Sequence, residues 1–237
     1  MYPLPSRSLD QVAVALDTPD RETFDRWCAL FGPRVGVLKV GLQAFVRWGP
    51  DAVAEARRWG PRVFLDLKLH DIPNTVAGAV AAAGDLGVDY LTVHAAGGPS
   101  MLAAAREAAA ERTKLLVVTL LTHLDQESLA SLDLAGSSTD RVSRWTAMAR
   151  AEGCSGVVCS PLELARLREQ NPSPFLLVTP GIRGLGTTGE DDQRRTADPE
   201  TALRAGADLL VIGRPLTRAP DPEAALRTLA ETLDSVS

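Results

Sequence analysis

Lysine is nearly missing from this chain: of 25 basic residues among 237, only Lys39, Lys68 and Lys114 are lysine, so arginine meets the needs of surface charge. Two of those three stand inside apolar runs, where a compact ammonium of tunable basicity suits a reactive site better than a guanidinium does. Cysteine is also sparse. Cys28, Cys154 and Cys159 are odd in number and form no C-x-x-C, which reads as reduced thiols in a cytoplasmic protein. No apolar run approaches the ~20 residues of a membrane span, and Met1 to Asp10 lacks the apolar core of a secretory signal, so the expectation is a protein neither exported nor inserted. A net charge of −5 with no basic stripe gives nucleic acid no footing. His70, His94 and His123 lack metal-ligand spacing and are expected to be hydrogen-bonded rather than metallated. There is no dinucleotide fingerprint and no Walker loop, so no such cofactor is implied.

What is present concentrates in one stretch, Phe64-Leu65-Asp66-Leu67-Lys68-Leu69-His70-Asp71-Ile72-Pro73-Asn74-Thr75. Arg62 to Leu69 is apolar and alternating enough to be a buried strand. A side-chain period of two puts Asp66 and Lys68 on one face and Val63, Leu65, Leu67 and Leu69 on the other. A carboxylate and an ammonium on a buried face are costly unless each compensates the other. Asp71 follows where Ile72-Pro73 ends the strand, and Pro73 fits the first turn of a helix continuing through Asn74 to Gly84. Taken alone, this spacing is equally compatible with a structural salt-bridge network.

The wider chain supplies context. Apolar runs at Val12–Asp17, Val35–Gly41, Arg62–Leu69, Tyr90–Ala96, Lys114–Thr122, Gly156–Ser160, Phe175–Ile182 and Leu209–Gly213 alternate with helical patterns. The helices are expected at Arg21–Phe31, Leu42–Trp59, from a Ser100 cap to Arg112, at Gln126–Leu134, Asp140–Glu152, after Pro161, and at Pro222–Leu233. Eight strands separated by helices predict an α/β protein of the (β/α)8 TIM-barrel class, in one domain with residues 1–10 as a short extension. Gly87, Gly153 and Gly206 each precede an apolar run, as left-handed helix caps would.

In such a barrel the site forms at the carboxyl ends of the strands. That rule gathers Asp17, Lys39, Asp66, Lys68, Asp71 and Thr122, then Pro180-Gly181-Ile182-Arg183-Gly184 and Ile212-Gly213-Arg214-Pro215 after strands seven and eight. The last two segments fit a phosphate site, with glycines admitting close backbone approach and Arg214 able to clamp two oxygens. The glycine-rich, aperiodic Gly184 to Asp192 reads as a lid over substrate. An ammonium between carboxylates suits proton donation to a carbanion, whereas a Schiff-base lysine needs a desolvated or cationic setting.

The run Asp66-Leu67-Lys68-Leu69-His70-Asp71-Ile72-Pro73-Asn74-Thr75, with Lys39, Pro180-Gly181-Ile182-Arg183, Gln193-Arg194-Arg195 and Ile212-Gly213-Arg214-Pro215, resembles the orotidine 5′-phosphate decarboxylase family from Val12 to about Thr217. The resemblance implies a cofactor-free homodimeric barrel that converts orotidine 5′-monophosphate to uridine 5′-monophosphate and carbon dioxide, the last step of pyrimidine synthesis. By position it makes Lys68 the proton donor and sets Lys39 and Asp66 beside it in a charged row. It brings Asp71 and Thr75 from the other subunit. Asp17 and Lys39 would bind ribose hydroxyls, Thr122 would face the pyrimidine, and Gln193, Gly213 and Arg214 would hold phosphate with Arg183 nearby. Gly184 stands where the family often has proline. Two alternatives stay open: a magnesium-dependent sugar-phosphate enzyme of the same barrel type, and a catalytically silent nucleotide-phosphate-binding protein.

Overall fold

Eight short strands close on themselves in the order of the sequence, β1 pairing with both β2 and β8, all parallel. The structure, a computed structural model, describes residues 7–124, 126–133, 136–183 and 196–235. Its elements in order are β1 Val12–Ala15, α1 Arg21–Phe31, β2 Val37–Gly41, α2 Leu42–Trp48, α3 Pro50–Arg58, β3 Arg62–Leu69, α4 Pro73–Asp85, β4 Tyr90–His94, α5 Gly98–Ala108 and β5 Lys114–Val118. They continue as α6 Gln126–Ser131, α7 Ser138–Ala151, β6 Gly156–Val158, α8 Leu164–Gln170, β7 Leu176–Thr179, α9 Pro199–Arg204, β8 Leu209–Ile212, α10 Arg214–Thr217 and α11 Pro222–Asp234. The (β/α)8 barrel expected from the alternation of apolar runs is the fold observed.

The period of two along each strand divides the apolar residues between two cores. Val12, Val14, Leu38, Val40, Val63, Leu65, Leu91 and Val93 face outward under the helices. Ala13, Ala15, Val37, Phe64, Tyr90, Leu116, Val178, Leu209 and Val211 fill the barrel. Two residues beyond Val37, Phe64 and Tyr90, on the same inward faces, come Lys39, Asp66 and Thr92. The barrel is therefore apolar at its floor and becomes polar toward the carboxyl ends of its strands.

Several elements differ from the sequence expectation. The helix expected over Leu42–Trp59 is two, because Pro50 cannot sit inside a helix and instead opens α3. Ser100 does not cap α5; Pro99 takes the first turn and Gly97 precedes the helix, leaving Ser100 within it. Strands β1, β5 and β7 are shorter than their apolar runs, so Asp17, Thr122 and Ile182 lie in the loops that follow. The helix that the Gly206 cap implies is α9, for which the sequence suggested an end but no start; Asp198 sets the start by accepting the Thr201 N–H at 2.8 Å.

The three glycine caps are as expected: Gly87, Gly153 and Gly206 have φ of 71°, 72° and 100°. At Gly206 a Cβ would stand 2.8 Å from Arg168 Cγ. That side chain has little room to yield, because its guanidinium donates to the carbonyls of Gly206, Asn171 and Phe175 and pairs with Asp208. Gly206→Ala is expected to destabilise the fold by about 2 kcal/mol, through positive φ and overpacking together. A urea midpoint equal to that of the wild type would contradict this.

Candidate active site

The bottom of the site is built by an irregularity in β3. Phe64 and Leu65 pair with Tyr90 and Leu91, but the next pairing is Leu69 with Val93, so four steps along β3 are matched by two along β4. Asp66, Leu67 and Lys68 thus stand opposite Thr92 alone. A bulge of one extra residue would exchange the two faces of the strand, whereas two extra residues preserve them. Leu67 and Leu69 accordingly pack on the outer core with Leu65, and Asp66 and Lys68 share the inner face as the period predicts. The period gives no sign of the backbone at Lys68, whose φ is +49°, a left-handed conformation costing about 1–2 kcal/mol in a residue with a Cβ.

Local bonds hold that conformation. The Lys68 N–H, without a ladder carbonyl, donates to Thr92 Oγ1 at 2.8 Å, and the Thr92 hydroxyl donates to Asp66 Oδ1 at 2.9 Å. Lys68 Nζ donates to both Asp66 oxygens, at 2.8 and 2.9 Å. On the other side of Asp66, Lys39 Nζ lies 3.2 Å from Oδ2 and 3.6 Å from Asp17 Oδ2. The result is a chain of alternating sign, Asp17–Lys39–Asp66–Lys68. Its inner members are the buried ones: the side chains of Lys39 and Asp66 are 8 and 13 % exposed, those of Lys68 and Asp17 32 and 47 %. Gly41 makes room for it, since a Cβ there would stand 2.3 Å from Asp17 Oδ1.

Burial by itself would raise the Asp66 carboxyl, but the Lys39 and Lys68 ammoniums and the bonds from Lys68 and Thr92 outweigh it and bring it down to about 2. Burial likewise opposes the Lys39 charge, and Asp66 and Asp17 overcome it, raising its pKa. Each buried charge is thus tied to an opposite one.

These groups line one cavity of about 450 Å³ at the mouth of the barrel. Asp17, Lys39, Asp66 and Lys68 occupy one side; Thr122, Arg183, Gly213 and Arg214, all anticipated from the sequence, line the rest. Gln193 and the expected lid from Gly184 to Asp192 lie outside the described residues. Asp71 and Thr75 do not line the cavity. Both are exposed, and Asp71 Oδ1 accepts the N–H of Ile72 at 2.6 Å. Among the residues lining the cavity, Gln43, Arg218 and the apolar wall of Val158, Cys159 and Val211 were not signalled by the sequence; nor did it single out Thr92, which lies beneath the charged chain and bonds Asp66 and Lys68. Cys159 was expected to be a small core residue; it is buried but also faces the cavity. Arg218 could have been found, since it follows Arg214 by one helical turn.

His94 adjoins this chain. Its ring stacks on His70 at 5.4 Å and meets Trp145 edge-on at 6.1 Å, while Nδ1 accepts the Ala96 N–H at 3.1 Å. Burial first, then the neighbouring His70 and Lys68, lower its pKa to about 4, consistent with a neutral ring that accepts through Nδ1. An unfolded histidine titrates near ~6.5, so between these values the unfolded chain binds more protons than the native one. The contribution is present in full above ~6.5 and is lost as pH falls toward about 4, whereas the loss due to Asp66 comes lower, below ~4. Urea midpoints from pH 7 to 4 are expected to decline, with a shallower decline in His94→Gln; parallel curves would contradict the assignment.

Known proteins share this fold and much of this sequence. The sequence model of the Orotidine 5′-phosphate decarboxylase / HUMPS family matches residues 10–229. The chain is 52% identical over 225 residues to the orotidine 5′-phosphate decarboxylase of Thermobifida fusca (strain YX), covering 94% of this chain and 95% of that one. It is 47% identical over 236 residues to the protein of the same name from Moorella thermoacetica, covering 96% and 93%. Among solved structures, orotidine 5′-phosphate decarboxylase from Lactobacillus acidophilus superposes with a TM-score of 0.81 at 34% identity, covering 94% of this chain and 98% of the other. With both the whole barrel and its charged mouth inside these matches, the chain belongs to the orotidine 5′-phosphate decarboxylase / HUMPS family.

Proposed function

We propose that this protein is an orotidine 5′-phosphate decarboxylase, a carboxy-lyase that turns orotidine 5′-monophosphate into uridine 5′-monophosphate and carbon dioxide without a cofactor, in the last step of pyrimidine synthesis. The observation that carries the reading is the Asp17–Lys39–Asp66–Lys68 chain facing Arg183 and Arg214 across one cavity. Such a cavity suits a molecule anionic at both ends, a phosphate against the arginines and a carboxylate near the lysines. In the reaction the bond between the pyrimidine ring and its carboxylate breaks and the electron pair stays on the ring carbon. Lys68 Nζ gives that carbon a proton, and carbon dioxide leaves. An ammonium already fixed by two bonds to Asp66 meets the developing charge without reorganising. The phosphate grip of Gly213 and Arg214, with Arg183 beside it and Gln193 as a further partner, supplies binding energy remote from the reacting carbon. Asp17 and Lys39 would hold ribose hydroxyls and Thr122 the pyrimidine.

The reading includes a homodimer in which Asp71 and Thr75 serve the partner's cavity. Their absence from the cavity of their own chain supports this, as does the surface around them. Ile72 is 67 % exposed, and Val46 and Leu42 on α2 are 80 and 50 % exposed, in segments that follow the adjacent strands β2 and β3. Exposed apolar side chains so grouped mark a contact surface. Three buried, free cysteines fit a reducing compartment, and the reading places the enzyme in the cytoplasm. No helix among the described residues is long and apolar enough to cross a membrane.

Mixing the protein with orotidine 5′-monophosphate is expected to lower the ultraviolet absorbance of that substrate, with the rate unchanged by a strong chelator. Loss of activity on chelation would favour the magnesium-dependent alternative. Lys68→Ala is expected to cut turnover by about 1,000-fold or more while uridine 5′-monophosphate still binds; near-normal turnover would remove Lys68 from its role. Co-expressing Lys68→Ala with Asp71→Ala separates the dimer arrangement from a site within one chain. Two inactive subunits that share sites recover about a quarter of wild-type activity, because mixed dimers hold one intact site each. If Asp71 acts within its own chain, nothing is recovered.

A further inference from the structure

We infer that Thr92 is a positioning residue for this reaction, its hydroxyl fixing the backbone of Lys68 and the carboxylate of Asp66 so that the ammonium is aimed at the reacting carbon. The inference rests on the decarboxylase reading and adds to it a residue that touches neither substrate nor reacting atoms.

A hydroxyl carries one proton and two lone pairs. Thr92 uses both capacities within this cluster: Oγ1 accepts the Lys68 N–H at 2.8 Å and donates to Asp66 Oδ1 at 2.9 Å. Lys68 Nζ donates to that same oxygen at 2.8 Å. The three bonds close a ring that runs from the Lys68 backbone through Thr92 and Asp66 to the Lys68 ammonium. Main chain and side-chain tip of one residue are thereby tied to a common point. Thr92 is fully buried, so no water stands ready to replace a lost bond. Its β-branched side chain has few rotamers, which keeps the hydroxyl in place before substrate arrives.

Ordinary packing does not account for this pattern. The buried threonines Thr113, Thr119 and Thr179 donate their hydroxyls to backbone carbonyls, those of Val88, Val158 and Cys159. Thr92 bonds a charged side chain and a left-handed backbone, at the one place where β3 and β4 fall out of register. Removing its hydroxyl leaves the Lys68 N–H without a partner and the Asp66 carboxylate with one donor fewer. The left-handed turn at Lys68 then loses the bond that holds it.

The test compares Thr92→Val, which keeps the shape and loses the hydroxyl, with Thr92→Ser, which keeps the hydroxyl. Thr92→Val is expected to lower kcat by about 10- to 100-fold, the effect of a misaimed reacting group, with KM changed by less than about threefold because the phosphate grip is untouched. Thr92→Ser restores kcat to within about threefold. Carbon-13 titration of the Asp66 carboxyl gives a readout that packing would not move: its pKa rises in Thr92→Val and stays low in Thr92→Ser. If Thr92→Val does not fold, Thr92→Cys, of similar size with a weak hydrogen-bonding thiol, takes its place under the same expectations. A Val or Cys variant with wild-type kcat and an unmoved Asp66 overturns the inference. A wild-type chain that releases no carbon dioxide from orotidine 5′-monophosphate refutes the decarboxylase reading instead, and the Asp66 titration then decides whether Thr92 holds the cluster.

Discussion

Two residues too many on one side of a β-ladder organise this molecule's chemistry. In a regular pairing, successive inward residues of β3 would each face a partner on β4 and stand apart by the repeat of the strand. Here Asp66, Leu67 and Lys68 crowd against Thr92, and the backbone turns left-handed at Lys68. The distortion brings the ammonium back onto the carboxylate two residues earlier while Leu67 and Leu69 stay in the outer core. Because the added count is even, the barrel closes as though nothing had been inserted. Strain of this kind persists only where surroundings over-determine it. The Thr92 hydroxyl, the Asp66 carboxylate and the flanking leucines together provide that.

The charges follow from the same geometry. An isolated carboxylate at the position of Asp66 would be costly enough to take up a proton; between two ammoniums it is held ionised far below the usual range. Lys39 gains the same protection from Asp66 and Asp17. Signs alternate along the chain, so no member is uncompensated, and removing either inner member, Lys39 or Asp66, leaves an outer one without its partner in the chain. The arrangement also explains why lysine survives where the sequence elsewhere uses arginine. A guanidinium is broad and planar, whereas two ammoniums fit on either side of one carboxylate within 3.2 Å.

How much of this could be read from the sequence depends on whether a feature is local. The inward faces of Lys39, Asp66 and Lys68 follow from the period of two, and the carboxyl-end rule for barrels collected Asp17, Thr122, Arg183 and Arg214 into the cavity. The break between α2 and α3 was written in Gly49-Pro50 but hidden by apolar spacing that continues across it, and α9 was written in Asp198-Pro199-Glu200. Thr92 was not legible at all. In the run Tyr90-Leu91-Thr92-Val93-His94 it looks like any strand threonine, and its importance lies in a register between two strands that neither strand encodes alone. Asp71 marks the opposite limit: its place in the motif is plain, yet it is exposed and does not line its own chain's cavity, which the periodicity of one chain does not disclose and only the family resemblance suggested.

The two halves of the barrel divide the work. The ends of strands β1 to β3 contribute the chain of alternating charges, with β4 supplying Thr92 beneath it, and β5 to β8 contribute an apolar wall of Val118, Val158 and Val211 together with Arg183 and Arg214. On the proposed reading, a flat pyrimidine lies between a fixed row of charges and a surface that makes no polar demands. Water drawn to Lys68 would weaken its field at the reacting carbon, so the apolar wall is as necessary to the electrostatics as the charges themselves. The phosphate cannot stabilise the carbanion from the far rim. What it would do on that reading is hold the ring against the charged row, so that binding energy gained at Arg214 would be expressed as alignment at Lys68. A shorter substrate lacking the phosphate would meet the same ammonium in the same place, but without the tether that keeps its carbon there.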